Sequence, residues 1–278
     1  VFPRKKAIFA QEPFSTMIHR KQALTMGIFL ALSFPSYSQQ IDTTKPVTFF
    51  SGNLSLTTNG FSIIPTFSLN SPAIITQLSW RKRKFSIDPD IRMTPNLKKG
   101  SMVLWFRYYP IQKKKFSLRV GAHPALNFQV REIADSNGVT EISQMRRFLA
   151  WELAPSYSIT QNWTVGLYYL QGNGLQKDGP QTTHFINLST GITNIRMGPW
   201  IRMALYPAVY YLRLDADEGF YFIGTLDLSY IKWPLSLSSS INQTFTSNIP
   251  GNKIFMWNVS LNYRFSKVMG KVKPSSSP

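Results

Sequence analysis

The stretch FSLRVGAHPALNFQVR, residues 116–131, decides the fold. Phe116, Leu118, Val120, Ala122, Pro124, Leu126, Phe128 and Val130 share one parity, and Ser117, Arg119, Gly121, His123, Ala125, Asn127, Gln129 and Arg131 share the other. Residues i and i+2 lie on one face of an extended chain, so this segment has an oily side and a wet side. The pattern spreads outward in both directions. Phe85, Ile87, Pro89, Ile91 and Met93 alternate with Ser86, Asp88, Asp90 and Arg92. Phe220, Phe222, Leu226, Leu228 and Tyr230 oppose Tyr221, Thr225, Asp227 and Ser229. Leu235, Leu237 and Ile241 oppose Ser236, Ser238, Ser240 and Asn242, and Phe255 to Phe265 repeats the pattern against Met256 to Arg264.

Soluble sandwiches also alternate, so length is the next test. These stretches run about 9–16 residues, against a soluble mode of about 5–6 and about 9–11 for a tilted membrane-crossing strand. Short links at 81–84, 111–115, 160–162, 196–199 and 232–234 alternate with longer ones at 59–73, 94–100, 132–146, 172–183, 214–219 and 248–253. Short turns at one end and long loops at the other are the habit of membrane barrels. The connections predict an all-β, transmembrane, antiparallel up-and-down β-barrel of about 12 strands, with both termini on the short-turn, periplasmic side. The segment 61–73 is read as an outer loop, an inward constriction or an extra strand. Aromatics are expected to form two girdles. Trp80, Phe85, Tyr108, Phe116, Tyr157, Trp163, Trp200, Tyr230, Trp233 and Phe265 fall beside short turns; Phe61, Phe128, Phe185, Tyr211, Phe220 and Phe255 fall toward the long loops.

Composition agrees. Charged residues are only 16% of the 278, below the quarter usual in soluble domains, while aromatics reach 14%. There is no cysteine, which excludes disulfide scaffolds and thiolate chemistry. Residues 17–38 read as a cleaved secretory signal: His19, Arg20 and Lys21, the apolar run ALTMGIFLALSF at 23–34, and small Ser36 and Ser38 before a cut at Gln39. Residues 1–16 are read as upstream non-native translation, 39–46 as a short N-terminal segment, 47–266 as the outer-membrane barrel and 267–278 as a basic tail.

The signal, the twelve-strand layout and a closing strand ending in aromatics (WNVSLNYRF, 257–265) resemble outer-membrane β-barrel proteins. FSIIPTFSLNSPA (61–73) and GAHPALNF (121–128) resemble segments of uncharacterised barrels of Bacteroidota. The resemblance implies a fold and a membrane, and carries no activity onto particular residues.

Turning the apolar face outward predicts a lumen lined by Asp88, Asp90, Arg92, Arg107, Arg119, His123, Asn127, Gln129, Glu152, Arg202, Asp227 and Arg264, mildly positive in balance. One reading is a narrow porin-like passage for small polar or anionic solutes, since arginine rings attract anions. The other is a closed structural or interaction barrel, a component of an envelope assembly, in which these charges pair across the bore and block it.

Enzymatic readings are weaker. A lipid-face hydrolase needs a His and a Ser two apart, and His184 faces outward with Ile186 at the partner position. A rim protease needs paired carboxylates with a His; Asp88 with Asp90 and Asp215 with Asp217 have the spacing but no His beside them. A His123–Glu152 couple is the remaining acid–base arrangement. No catalytic residue, metal site or cofactor is expected.

The net charge of +18 has its own distribution. Arg81, Lys82, Arg83, Lys84, Lys113, Lys114, Lys115, Arg196, Lys232, Lys267, Lys271 and Lys273 fall on the short-turn side. Glu132, Asp135, Glu141, Asp178, Asp215, Asp217 and Glu218 fall in or near the long loops. Expected partners are therefore outer-membrane lipids, whose anionic headgroups attract such bases, and a periplasmic or envelope protein. Nucleic acid is not expected, because the aromatics belong to the lipid face rather than to a soluble stacking platform.

Overall fold

A computed structural model describes residues 48–135 and 138–269. The signal and upstream segment, 39–46, and the tail bases Lys271 and Lys273 lie outside the described residues. Twelve strands follow in order: β1 (Thr48–Thr57), β2 (Ala73–Lys82), β3 (Phe85–Met93), β4 (Lys99–Gln112), β5 (Phe116–Asp135) and β6 (Gly138–Ser158) form the first half. β7 (Trp163–Gly174), β8 (Thr182–Arg196), β9 (Ile201–Leu214), β10 (Asp217–Tyr230), β11 (Leu235–Ser247) and β12 (Phe255–Met269) form the second. Each strand pairs antiparallel with its neighbours in sequence, and β1 closes the sheet on β12, Thr48 standing opposite both Lys82 and Met269. Closure satisfies every strand edge, which a sheet in hydrocarbon requires.

The outer face is apolar along its length. Leu54, Leu56, Ile87, Phe106, Leu153, Leu167, Ile186, Leu188, Leu237 and Leu261 are all exposed on it. In water such a belt would drive association; in a bilayer it meets its own kind, so the barrel crosses a membrane with strands. Rings gather at the short-turn end: Phe85 packs on Tyr108 at 4.7 Å, Tyr230 on Trp233 at 5.9 Å and on Trp200 at 6.5 Å. Gly52 shows why one position in that belt has no side chain. It pairs with Phe265 and Leu78, and a Cβ there would stand 2.3 Å from the Phe265 ring. The ring lies over the glycine.

Four expectations need correction. The connection foreseen at 132–146 is a continuation of strands: β5 and β6 stay in register to Asp135 opposite Gly138. The one foreseen at 214–219 is a two-residue turn, with Asp215 at φ 55°; Asp tolerates this left-handed conformation better than most side chains. Hydrogen bonding along a ladder outcompetes the loop-like composition in both places. Phe61 and Phe185 do not belong to the outer girdle. Phe185 is buried in the interior with Tyr210, Leu212 and Tyr221, and Phe61 lines the lumen. The last strand, β12, also runs three residues past the expected end at 266, to Met269.

The segment 58–72 turns inward. It carries a single 3-10 turn, Pro65–Phe67. Ile63 and Ile64 pack against the buried cluster of Ala150, Leu170, Phe185 and Tyr210, and Phe67 stacks 5.3 Å from Phe148. The Asn127 amide donates to the Thr66 carbonyl at 2.7 Å, holding the turn to the β5 wall. Of the three possibilities for this segment, the constriction is the one observed. Apolar side chains that would face water in an outer loop are here buried against an interior hydrophobic cluster.

Candidate functional site: a two-chambered lumen

The wet face of each strand lines the interior, and the inward segment divides it. A chamber of about 680 Å³ is bounded by Phe61, Ser62, Ile63, Ile64 and Phe67 on the loop side. Its walls include Gln77, Asp90, Arg92, Arg107, His123, Tyr168, Tyr206, Asp227, Asn258, Asn262 and Arg264. A second space of about 520 Å³ lies on the other side of the loop, lined by Gln129, Arg146, Asp215, Asp217, Tyr221 and Asn242 among others. Ser62 and Ile63 line both, so the loop is the partition.

One wall of the inner chamber is ionic. Arg107 on β4 donates to Glu152 on β6 at 2.8 Å and to Asp88 on β3 at 2.9 Å. Arg119 on β5 pairs with the same Glu152 oxygen at 2.8 Å. Asp88 also accepts from Ser79 at 2.6 Å and Ser86 at 2.9 Å. Asp90 is held by Arg92 at 2.9 Å and by Gln77 at 3.0 Å. Glu152 is 1% exposed, and so buried a carboxylate is tolerable only because two guanidiniums share it. Gly121 makes the meeting possible: a Cβ at that position would lie 3.0 Å from both the Arg107 stem and the Glu152 carboxylate. Trp105 completes the wall, with the Arg107 guanidinium 4.3 Å over its ring and the His123 ring 3.9 Å away.

The opposite wall is mostly amide and hydroxyl. Ser55 donates to Asn262 at 2.6 Å, Asn262 donates to Ser238 at 2.8 Å, and Thr57 donates to Asn258 at 2.5 Å. Beyond the loop, in the second space, Tyr210 donates to Asn242 at 2.7 Å. Among the described residues a single ion pair lies on the amide wall of the inner chamber, Arg264 to Asp227 at 2.7 Å, with Ser236 also donating to Asp227 at 3.1 Å. The Arg264 side chain is 51% exposed to the chamber while Asp227 is buried, so the cationic half of that pair is the half a solute meets.

The residues expected in the lumen are all placed on inward-facing strand positions, with two differences of detail. Asn127 and Gln129 lie with the inward loop and the outer space rather than in the inner chamber. Arg202 sits at the short-turn end and reaches the Gly198 and Ile201 carbonyls at 3.4 Å. The inner chamber thus sets Asp88, Asp90, Glu152 and Asp227 against Arg92, Arg107, Arg119 and Arg264, a balanced set rather than a mildly positive one. The pairs also run along the wall, within β3 or between strands one or two apart, and do not bridge the bore. What narrows the bore is the loop.

The same parity that found the charged residues also points Tyr168, Tyr206, Tyr210 and Tyr221 inward. Parity weighted toward acids, bases and amides passed over them, although Tyr210 and Tyr221 stack at 4.7 Å beside the loop, on the side of the second space. Of the arrangements weighed for catalysis, the carboxylates of Asp88, Asp90, Glu152 and Asp215 are engaged in holding structure. Glu152 is taken by two arginines, and the His123 ring lies against Trp105. Asp215 accepts from the Gln181 and Thr182 backbone N–H groups at 2.9 and 2.7 Å. On the outer face His184 meets the Tyr169 hydroxyl at 3.0 Å.

The basic end of β2 and its turn into β3 are tied to β4, the next strand along. The Arg81 guanidinium lies 4.0 Å over the Tyr109 ring, and Lys84 donates to the Pro110 carbonyl at 3.0 Å. At the other end, Lys98 pairs with Glu141, and Arg146 with Asp178 at 3.6 Å.

No family model and no curated protein matches the chain. Solved structures similar to it are barrels. The KdgM porin is 10% identical with a TM-score of 0.49, covering 77% of this chain and 99% of that one. LpxR from Salmonella typhimurium is 10% identical with a TM-score of 0.45, covering 77% and 100%. The NanC porin is 11% identical with a TM-score of 0.42, covering 80% and 100%. Likeness at this level is one of general shape, and the functional reading rests on this chain's own residues.

Proposed function

We propose that this chain is a non-enzymatic outer-membrane barrel, with both termini periplasmic, that passes small polar or anionic solutes through a narrow lumen. The observation that carries the reading is the chamber of about 680 Å³ inside an apolar-walled barrel, whose strand walls carry polar groups beneath an apolar loop pinned at Asn127. The hydroxyls, amides and paired ions of those walls give a hydrated solute replacement partners for lost water. The half-exposed guanidinium of Arg264 favours solutes carrying negative charge.

The pinned loop also favours a second reading, a barrel closed by its own segment 58–72 that serves as a component of an envelope assembly. Planar-bilayer recording of the refolded protein separates the two. The channel reading expects small unitary currents from the native chain, larger ones when 61–68 is replaced by a short Gly-Ser link, and reduced anion preference in Arg264→Gln. Current from the loop-replaced variant alone would select the closed barrel. Silence from both would overturn the channel.

A further inference from the structure

The outer wall is not uniformly convex. At Val120 and Ala122 the outward side chains of β5 are small, while those on β4 and β6 beside them are large. Register shows it in two rows. Phe85, Tyr108, Val120 and Leu153 stand side by side across β3, β4, β5 and β6, and Ile87, Phe106, Ala122 and Trp151 form the next row. Each row dips at β5. The result is an apolar groove of about 570 Å³, lined by Phe85, Ile87, Phe106, Tyr108, Val120 and Leu153, with Trp151 at its far wall. Its size falls within the range of about 300–1,000 Å³ typical of small-molecule sites.

A second, independent feature lies at the short-turn end of the same strands. The turn entering β3 carries Arg83 and Lys84, and the turn entering β5 is Lys113, Lys114 and Lys115. Lys84 reaches across to the Pro110 carbonyl, which brings the two turns together. The remaining short turns are far less basic: 159–162 holds no base, 197–200 none and 231–234 only Lys232. A barrel merely attracted to a charged surface has no need to gather its bases on one arc of the rim. Here the basic arc and the apolar groove belong to the same hairpins, and the groove runs down β5 toward the three lysines.

We propose that this groove and these turns together form a binding site for one anionic phospholipid of the leaflet at the short-turn end, its acyl chain seated over Val120 and Ala122 and its phosphate held by Lys84 and Lys113–Lys115. The chemistry fits both halves of such a molecule. Small residues between aromatic and branched ridges give a chain more contact than a flat wall does. Clustered ammonium groups at the interface select a charged headgroup over a zwitterionic one. The proposal depends on the lipid-facing exterior and is independent of whether the lumen conducts.

Native mass spectrometry of the full chain, delipidated and then offered phosphatidylglycerol or phosphatidylethanolamine, tests it. The expected result is retention of a single phosphatidylglycerol over phosphatidylethanolamine by about tenfold or more, the scale that several interfacial lysines give. Val120→Trp, which fills the groove, and the triple change of Lys113, Lys114 and Lys115 to Ser should each abolish that preference. Heat-modifiable mobility on gels verifies that both variants fold, and Ala122→Leu is the substitute if Val120→Trp does not. Equal retention of the two lipids overturns the proposal, as does a preference that survives both variants. Binding of an acidic polypeptide to the lysines, with no discrimination between the lipids, also overturns it and assigns the arc to a protein.

Discussion

The two walls of the inner chamber solve one problem with different chemistry. Across β3–β6, buried charge is held by buried charge: Asp88, Arg107, Glu152 and Arg119 form a chain in which the two inner members each serve two partners. Across β10–β12 and β1, neutral groups such as Asn258, Asn262, Ser55 and Thr57 satisfy one another at similar distances. The difference lies in what happens when one member is lost. An amide wall that loses a residue leaves weak donors that water can reach. An ionic wall leaves a guanidinium in a site built for a carboxylate. The first wall should be brittle and the second forgiving.

Glu152→Ala is the sharpest way to break the comparison. It removes the carboxylate between Arg107 and Arg119 and leaves both cations beside a void. Loss of one partner from a buried ion pair costs about 3–5 kcal/mol, and this residue is almost fully buried. Urea unfolding of the refolded barrel in lipid vesicles should register a loss on that scale. Glu152→Leu, of similar bulk, should do no better, because Arg119 then has no carboxylate and Arg107 keeps only Asp88. A loss below that of any single change on the amide wall would remove the distinction between the walls.

Gly121→Ala comes next. The added methyl meets the Arg107 stem and the Glu152 carboxylate at 3.0 Å, so the ion pair must spread or the strand must shift. Overpacking of this kind costs about 1–3 kcal/mol. The same unfolding experiment reads it, and its effect should shrink in a Glu152→Ala background, where the carboxylate has gone but the Arg107 stem and the Phe106 carbonyl remain at 3.0 Å. Fully additive losses would show that the cost comes from those two neighbours and not from the carboxylate.

The amide wall supplies the smaller effect. Asn262 accepts from Ser55 and donates to Ser238. Asn262→Ala should cost about 1–2 kcal/mol, the sum of modest net contributions from neutral hydrogen bonds. A value matching that of Glu152→Ala would mean that neutral networks in this lumen are as brittle as ionic ones.

These walls were legible in the sequence to unequal degrees. Alternation assigned the inward face correctly along β3, β5, β10, β11 and β12, because period two is a local property and a membrane barrel imposes it on every strand. It named Asp88, Arg107, Arg119 and Glu152 as lumen residues. Their connection into one chain was not legible, since it depends on register across four strands and on Gly121 leaving room. Nor was the charge balance, because Arg202 shares the parity of the others but sits at the mouth beside Gly198. The inward fold of 58–72 was open for the same reason. Ile63 and Ile64 meet Phe185 and Tyr210, more than a hundred residues away in sequence, and no local pattern encodes a contact of that span. The over-long loops at 132–146 and 214–219 show the converse error, in which polar composition was read as irregular backbone although a ladder continued through it.

A carboxylate outside both walls provides the control and the smallest expected effect. Asp215 sits in the exposed turn between β9 and β10, where Arg213 holds its backbone carbonyl and its carboxylate accepts from Gln181 and Thr182. Its slight burial pushes its pKa up, but the N–H groups of Thr182 and Gln181 and the Thr182 hydroxyl outweigh that and set it below the ordinary carboxylate value. A carboxyl whose pKa is lowered by folding stabilises the fold above its unfolded pKa and loses that contribution as pH falls through the folded value. Stability measured from neutral pH downward should therefore decline below the ordinary carboxylate range, and Asp215→Asn should flatten part of that decline while costing little at neutral pH. The contribution is small because water screens so exposed a group. Glu152→Gln, tested beside it, should weaken the barrel already at neutral pH, since a neutral amide cannot compensate two buried guanidiniums. Equal pH profiles for the two variants would mean that burial, and not merely charge, fails to distinguish the lumen wall from the rim.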